Sequence, residues 1–190
     1  MTFERVDETK PMDELTHLLL TAGDGDREAL TELVQRTQPD VWRFCAAIVG
    51  AAAADDATQD TFIRAWKGVH NFEGKSSAKT WLFAIAKRVC FDADRRSQRA
   101  PRATARIPDA GGGDHEERVA LEDLMARLAP DRRAAFVLTQ LLGLSYEDAA
   151  RVCGCPVGTI RSRIARARAE LLAGTLGAAS DRGRTNGHSV

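Results

Sequence analysis

The 190-residue sequence predicts an all-α protein in which a flexible linker joins two small helical domains. Apolar residues recur at near-helical spacing from Gly25 to Arg96, and again from Leu121 to about Leu172. Between these regions, residues 97–116 are rich in Arg, Ala, Gly and Pro and carry no apolar periodicity. Such a long irregular segment is uncommon inside a compact domain, so we interpret it as a linker.

The first region predicts a compact helical bundle. Its clearest apolar stripe is formed by Val41, Trp42, Phe44, Cys45, Ile48 and Val49. That stripe needs partners, and further predicted helices supply them through Leu30, Leu33 and Val34, through Phe62, Ile63 and Trp66, and through Leu82, Ile85 and Val89. We assign residues 25–96 to this domain and residues 1–24 to an N-terminal extension.

The second region, residues 117–173, contains a predicted helix-turn-helix. Ser145 followed by Asp148 fits a capping box, in which both side chains satisfy free amides at a helix start. Gly154 permits the turn that ends this helix, and Pro156 suits the first turn of the next one. Beyond it, residues 174–190 are polar and Gly-rich, and we expect a mobile tail.

The second helix of this motif has one apolar side and basic remaining sides. Ile160, Ile164, Ala167 and Leu171 recur at steps of three and four and would anchor it to the domain. The outward set then comprises Thr159, Arg161, Ser162, Arg163 and Arg166, which suits the major groove of DNA. A solvated amphipathic helix without a DNA role is the alternative, but the preceding capped helix and glycine turn favour DNA binding.

The distribution of charge is more informative than its total. Lys and Arg number 27, as do Asp and Glu, so net charge does not indicate a nucleic-acid-binding protein. Basic runs nevertheless occur at Arg95, Arg96, Arg99, Arg102 and Arg106 and at Arg161, Arg163, Arg166 and Arg168, with an acidic patch at Asp55, Asp56 and Asp60.

Neither a membrane span nor a secretion signal is predicted. No apolar stretch approaches the roughly 20 residues of a transmembrane helix, and the first ten residues lack a signal-peptide pattern. We therefore expect a cytoplasmic protein without membrane partners, whose cysteines stay as thiols in a reducing compartment.

Enzymatic and metal-binding roles find little support. The four histidines are scattered, and no nucleophile elbow, phosphate loop or paired metal motif is present. Cys153 and Cys155 flank Gly154 and offer too few ligands for structural zinc, so we favour turn and packing roles for them. We expect no catalysis, no cofactor and no metal.

Two stretches resemble one family. Residues 141–172, LLGLSYEDAARVCGCPVGTIRSRIARARAELL, are similar to region 4 of extracytoplasmic-function (ECF) sigma factors of the sigma-70 family. Residues 54–96, ADDATQDTFIRAWKGVHNFEGKSSAKTWLFAIAKRVCFDADRR, resemble regions 2.2 to 2.4 of that family, in the correct order. The resemblance identifies the domains as sigma regions 2 and 4. It implies a factor that binds RNA polymerase core enzyme and promoter DNA, promotes strand opening and is a candidate for sequestration by an anti-sigma factor.

The resemblance also implies residue roles, beginning with the contact to the clamp helices of the largest core subunit. Asp56, Gln59 and Asp60 fall on one side of a helix, where they would meet a basic polymerase surface. Asp55 or Asp56 would in addition favour the positive end of that helix. The implied core-binding set is Asp56, Gln59, Asp60, Phe62 and Arg64.

Promoter contacts follow in the same way. A polar segment between two helices matches the family's loop that captures a flipped base of the minus-10 element, and the next helix would hold the separated strand. The implied minus-10 set is Asn71, Phe72, Lys75, Ser76, Ser77, Lys79, Thr80, Trp81, Lys87 and Arg88. Trp81 suits a core position as well as stacking on DNA. The implied minus-35 set is Pro156, Val157, Gly158, Thr159, Arg161, Ser162, Arg163 and Arg166.

The linker limits what the chain does alone. A free coil of about 20 residues spans about 25 Å and reaches about 65 Å when extended, whereas the two promoter elements lie roughly 70 Å apart. We therefore expect weak or no promoter binding without polymerase. The main rival is a stand-alone helix-turn-helix regulator whose N-terminal bundle senses a ligand or dimerises, and a partner-regulated interaction module is a third interpretation. Promoter-specific transcription with core polymerase would separate them.

Overall fold

The computed structural model describes residues 12–99 and 123–185, with side chains described for residues 12–96 and 123–175. The chain divides into two compact units, one on each side of the gap. Every regular element in these described ranges is helical, which confirms the predicted all-α fold. The predicted linker lies outside the described residues except at its start, where the last helix of the first unit continues to Arg99.

The first unit contains four α-helices, namely α1 (Glu14–Gly23), α2 (Arg27–Val49), α3 (Ala51–Gly68) and α4 (Ala78–Arg99), with a 3₁₀ turn at Val69–Asn71. Helix α1 lies in the predicted N-terminal extension, yet it buries Leu19 and Ala22 within the bundle. The first domain therefore includes a helix that the predicted boundary at residue 25 left out. Its start is fixed by Asp13, whose carboxylate accepts a hydrogen bond from the Thr16 amide.

Helix α2 is continuous, whereas the apolar pattern predicted two separate helices. Asp26 caps it by accepting hydrogen bonds from the amides of Glu28 and Ala29. The helix runs through Pro39 because that ring lies on the exposed side and removes only one backbone donor. The buried face is uninterrupted from Leu33 onward, so packing stabilises the continuous helix.

The core of the first unit forms where α2, α3 and α4 meet. The rings of Phe44 and Phe83 pack edge to face, with centroids 5.6 Å apart. Three residues predicted to join the apolar stripes are instead exposed: Trp42, Ile63 at 47% and Trp66 at 45%. Their exposure is a correction to the predicted core.

The second unit contains a helical segment with described residues 123–127, α5 (Pro130–Phe136) leading into a π-helical turn (Val137–Leu141), α6 (Tyr146–Cys153) and α7 (Val157–Thr185). Helices α6 and α7 form the predicted helix-turn-helix. Helix α7 was predicted to end near residue 173, but its backbone continues to Thr185.

No helix among the described residues combines the length and apolar character that crossing a membrane requires.

Candidate nucleic-acid interface

The outward face of α3 carries the predicted core-binding residues. Asp56 and Gln59 are exposed there, one helical turn apart. Arg64 donates two hydrogen bonds to Asp60, from Nε to Oδ1 at 3.1 Å and from Nη2 to Oδ2 at 2.9 Å. The Asp60 hydrogen bond raises the pKa of Arg64, and the two side chains form an ion pair on this face. Asp55, in contrast, accepts a hydrogen bond from Trp42 Nε1 at 2.8 Å.

An apolar cleft of about 250 Å³ opens beside that face, lined by side chains from all four helices. Phe62 of the predicted set lies in its wall, and Ile63 and Trp66 form its exposed edge. Sequence reasoning missed this edge by assigning both residues to the core. A signal was available, since Ile63 follows Asp56 by two helical turns and Trp66 follows Gln59 by the same interval. The acidic residues and the exposed apolar residues therefore share one face of α3.

The predicted minus-10 residues divide into exposed and buried groups. In the segment before α4, Asn71 and Lys75 are exposed, and Lys75 forms an ion pair with Glu73 that lowers the pKa of this carboxyl. Phe72 is buried instead, with its ring centroid 5.5 Å from that of Trp81. Phe72 thus packs on the inner side of the segment, and its ring is not exposed to a DNA base in this conformation.

The start of α4 is held by a hydroxyl pair. Ser77 Oγ accepts a hydrogen bond from the Thr80 amide at 3.1 Å and lies 2.8 Å from Thr80 Oγ1. Ser77 therefore caps the start of α4, and the predicted DNA contact of Thr80 is corrected, because this residue is only 3% exposed and its hydroxyl pairs with Ser77. Trp81 is half-buried and packs against the apolar cluster of α1, which favours its core role.

The basic residues of α4 differ in their contacts. Lys79 forms a 3.2 Å ion pair with Asp40 of α2, and the Lys87 ammonium lies 5.0 Å from the centroid of the Phe91 ring. Arg88 is exposed. Ser76, in the preceding segment, is half-buried.

The helix-turn-helix has the geometry expected from the sequence. Ser145 Oγ accepts a hydrogen bond from the Asp148 amide at 3.0 Å and donates one to the Asp148 carboxylate at 2.7 Å. Gly154 ends α6 in the left-handed region with φ of 65°. The Pro156 carbonyl then accepts from the Thr159 amide at 2.9 Å and opens α7. These contacts confirm the predicted Ser145 cap, the glycine turn and the helix start. The second half of the capping box differs, because the Asp148 carboxylate accepts from the Ser145 hydroxyl and from Arg151.

The two sides of α7 differ as predicted. Ile160, Ile164 and Ala167 are buried and anchor the helix to its unit. The exposed predicted residues are Pro156, Gly158, Arg161, Ser162 and Arg166, while Val157 and Thr159 are half-buried.

Arg163 departs from the expectation of an outward DNA contact. Its guanidinium donates to the Asp131 carboxylate at 2.8 Å and to Cys155 Sγ at 3.5 Å, so it ties α7 to α5 and to the turn. Farther along the helix, Arg168 donates to Gln140 Oε1 at 2.6 Å. Some arginines of α7 therefore form hydrogen bonds within the unit, whereas others are exposed.

Comparison with known proteins identifies the family. Residues 33–100 match the model for Sigma-70 region 2, and residues 118–171 match the model for Sigma-70, region 4. The ECF RNA polymerase sigma factor SigC of Mycobacterium tuberculosis (strain CDC 1551 / Oshkosh) is 49% identical over 168 residues, which cover 85% of this chain and 91% of that protein. The chain belongs to the ECF sigma factors.

Solved structures agree with this ECF assignment. CnrH, solved in complex with the cytosolic domain of CnrY, matches with a TM-score of 0.72 at 29% identity over 87% of this chain and 99% of that one. The sigma factor RpoE from Bartonella quintana, solved with the anti-sigma factor NepR, matches with a TM-score of 0.66 at 30% identity over 76% and 95%.

The function of this ECF sigma factor follows from its family. It binds the core of RNA polymerase and promoter DNA, and it directs promoter recognition for transcription initiation. A stand-alone helix-turn-helix regulator, the main rival interpretation, does not account for a sigma region 2 in the same chain.

None of the four cysteines, which all lie within the described residues, forms a disulfide. Cys45 and Cys90 are buried between α2 and α4, where the Cys45 contact and burial raise the pKa of Cys90. Cys153 is buried and Cys155 is half-buried at the turn before α7. Within residues 12–99 and 123–185, no three His, Cys, Asp or Glu side chains are grouped as metal ligands would be.

Proposed function

We propose that this ECF sigma factor divides promoter recognition among three surfaces. The first half of α7 reads the minus-35 element, the segment before α4 with the start of that helix engages the minus-10 element, and the outward face of α3 binds core polymerase. The observation that carries the proposal is the contrast along α7. Its apolar side is buried by Ile160 and Ile164, whereas Arg161 and Arg166 extend from other sides into solvent.

For the minus-35 surface, the exposed positions suit major-groove recognition. Arg161 and Arg166 carry planar guanidinium groups that pair with guanine in two hydrogen bonds, and Ser162 lies between them in the sequence. Pro156, Val157, Gly158 and Thr159 form the amino-terminal turn, which is the part of a recognition helix that approaches bases and phosphates. We assign Arg163 to holding the helix at its angle, because Asp131 and Cys155 already engage its guanidinium.

For the minus-10 surface, the exposed and buried residues take different tasks. Asn71, Lys75 and Ser76 contact an extruded base and its phosphate, and Lys79, Lys87 and Arg88 hold the continuing strand. The remaining four predicted residues, Phe72, Ser77, Thr80 and Trp81, fix the backbone beneath them through ring packing and hydroxyl hydrogen bonds.

For the polymerase surface, acidic and apolar groups act together. Asp56, Gln59 and the paired Asp60 and Arg64 supply charge and hydrogen bonds at the rim. The cleft walled by Phe62, with Ile63 and Trp66 at its edge, supplies apolar area that would be buried in the complex. This combination is typical of a protein interface with an apolar centre and a polar rim.

In vitro transcription tests the proposal. Wild-type protein with core polymerase should start transcripts at defined promoters, and aligning those promoters gives both elements. Arg166→Ala should lower initiation about tenfold or more, because a bidentate arginine contributes about 1–3 kcal/mol of base discrimination. Arg127→Ala, at an exposed arginine outside the helix-turn-helix, should match wild type. Promoter-independent starts by the wild-type holoenzyme would overturn the assignment.

We also propose that an anti-sigma factor binds this chain. We further propose that this chain acts in the cytoplasm and that it catalyses no reaction itself. The support for a binding partner is that RpoE was solved with the anti-sigma factor NepR. Affinity capture on immobilised chain, followed by competition with core polymerase, tests this. A captured protein that blocks core binding is the expected result, and no core-competing protein would contradict it.

A further inference from the structure

We propose that helix α1 positions the loop 72–77 for its contact with the minus-10 strand, with Thr16 and His70 as the positioning residues. This inference rests on the proposed minus-10 role of that loop and deepens it. Neither residue touches DNA in this account. Each ties one end of the loop to the same ten-residue helix.

The carboxyl end of the loop is tied through a buried hydroxyl. Ala78 is the first residue of α4, so its amide has no acceptor within that helix. Thr16 Oγ1, on α1, accepts the hydrogen bond from this amide at 2.9 Å. The same hydroxyl donates to Asp13 Oδ2 at 2.7 Å, which directs its lone pair toward Ala78. Thr16 is 4% exposed, so water does not replace it readily.

The amino end of the loop is tied by a histidine. His70 lies in the 3₁₀ turn before the loop, and its Nδ1 hydrogen bonds to the Gly23 carbonyl at 2.5 Å. A carbonyl oxygen only accepts, so Nδ1 carries the proton in this contact. Gly23 is the last residue of α1, where a carbonyl lacks an intrahelical partner. The histidine therefore satisfies the helix end and fixes the turn.

Close backbone packing reinforces both ties. A Cβ at Gly23 would lie 3.2 Å from the Val69 carbonyl oxygen, closer than an ordinary contact, so a side chain there would push α1 slightly away from the turn. Inside the loop, Gly74 adopts a φ of 70°, and a Cβ there would meet the Leu20 side chain at 3.8 Å. Leu19 also joins the buried cluster beneath.

The arrangement holds the backbone of the loop while leaving its polar residues exposed. Lys75 in the loop and Asn71 in the turn before it remain exposed, while α1 packs against the backbone from the other side. A loop that is already ordered loses less conformational entropy on gripping a strand, so preorganisation strengthens binding without adding a contact to DNA.

The test uses full-length chain reconstituted with core polymerase and a fluorescent single strand carrying the minus-10 element read from wild-type transcripts. Thr16→Val removes the hydroxyl while keeping the shape, and should weaken strand affinity about tenfold, because a buried amide loses its acceptor. Thr16→Ser retains the hydroxyl and should restore near wild-type affinity. His70→Ala should weaken affinity about threefold, by loss of one net hydrogen bond.

Controls separate positioning from general destabilisation. His17→Ala removes an exposed histidine from α1 and should leave strand affinity unchanged. Core affinity should be unchanged in all variants, and amide exchange in residues 72–78 should accelerate in Thr16→Val while α2 keeps its protection. An equal loss of core and strand affinity in Thr16→Val and His70→Ala would overturn the inference, since that pattern indicates a merely structural role.

The proposed function is tested separately by Asn71→Ala and Lys75→Ala. If Asn71→Ala and Lys75→Ala weaken strand binding while Thr16→Val and His70→Ala do not, the inference fails and the minus-10 role of the loop and its preceding turn stands. If none of the four variants weakens strand binding, the minus-10 role fails and the inference fails with it.

Discussion

Arginines within one turn of α7 lie in different environments. Arg161 is exposed, whereas Arg163 is half-buried between Asp131 and Cys155. The basic pattern of α7 did not distinguish them, because Asp131 is distant in the sequence and its approach depends on how α5 packs. Residue type and spacing predicted a basic helix, but only the tertiary contacts show which arginine is exposed and which is held inside the unit.

Replacing these two arginines should separate stability from recognition. Arg161→Ala should lower promoter-specific transcription about tenfold with an unchanged free energy of unfolding, because an exposed side chain contributes little to stability. Arg163→Ala should lower the free energy of unfolding by about 1 kcal/mol, because it breaks a partly buried charged hydrogen bond. In vitro transcription and urea unfolding measure the two effects. Full stability of Arg163→Ala, combined with lost promoter selectivity, would contradict the assignment.

Helix ends that carry a local capping or turn signal were predicted from the sequence, but the lengths of the helices were harder to predict. The cap at Ser145 and the turn at Gly154 were predicted because their signals are local. Helix α1 was missed because its short apolar run has no long periodicity, although Asp13 supplies a cap. The continuity of α2 was missed because Pro39 normally ends a helix, and its exposure decides otherwise.

Two glycines of the helix-turn-helix should respond to alanine in opposite directions. Gly154→Ala should lower the free energy of unfolding by about 1 kcal/mol, because its φ of 65° disfavours a side chain. Gly158→Ala should raise it by up to about 1 kcal/mol, because this helical glycine has nothing within 4 Å of an added Cβ. Thermal unfolding of both variants beside wild type measures the difference. The same sign in both would show that backbone conformation does not determine these glycines' effects.

In the whole molecule, an apolar sequence pattern can belong either to a buried core or to a binding surface. Ile63 and Trp66 continue an apolar pattern, and the pattern alone does not reveal whether a helix face packs inside the chain or awaits a partner. The structure shows both side chains partly exposed, and adjacent exposed apolar residues support the proposed polymerase surface. The two-domain organisation itself was predictable, since the periodicity stops and resumes.

The exposed edge of the cleft should contribute to polymerase affinity. Ile63→Ser combined with Trp66→Ala should weaken the affinity for core polymerase at least tenfold, because truncating an anchor residue of an interface costs about 2 kcal/mol or more of binding free energy. The free energy of unfolding should stay nearly unchanged. Gln38→Ala, on the exposed side of α2, is the matched control. Analytical binding to fluorescent core polymerase gives the affinities. Wild-type core affinity in the double variant would remove the cleft from the interface.

DNase footprinting on one promoter, with and without core polymerase, is the most direct test that two small units recognise separate elements only when polymerase holds them. If that dependence on polymerase holds, the reconstituted holoenzyme should protect both the minus-35 and minus-10 elements, and the free chain at the same concentration should protect neither selectively. Selective protection of the promoter by the free chain, or none by the holoenzyme, would contradict it.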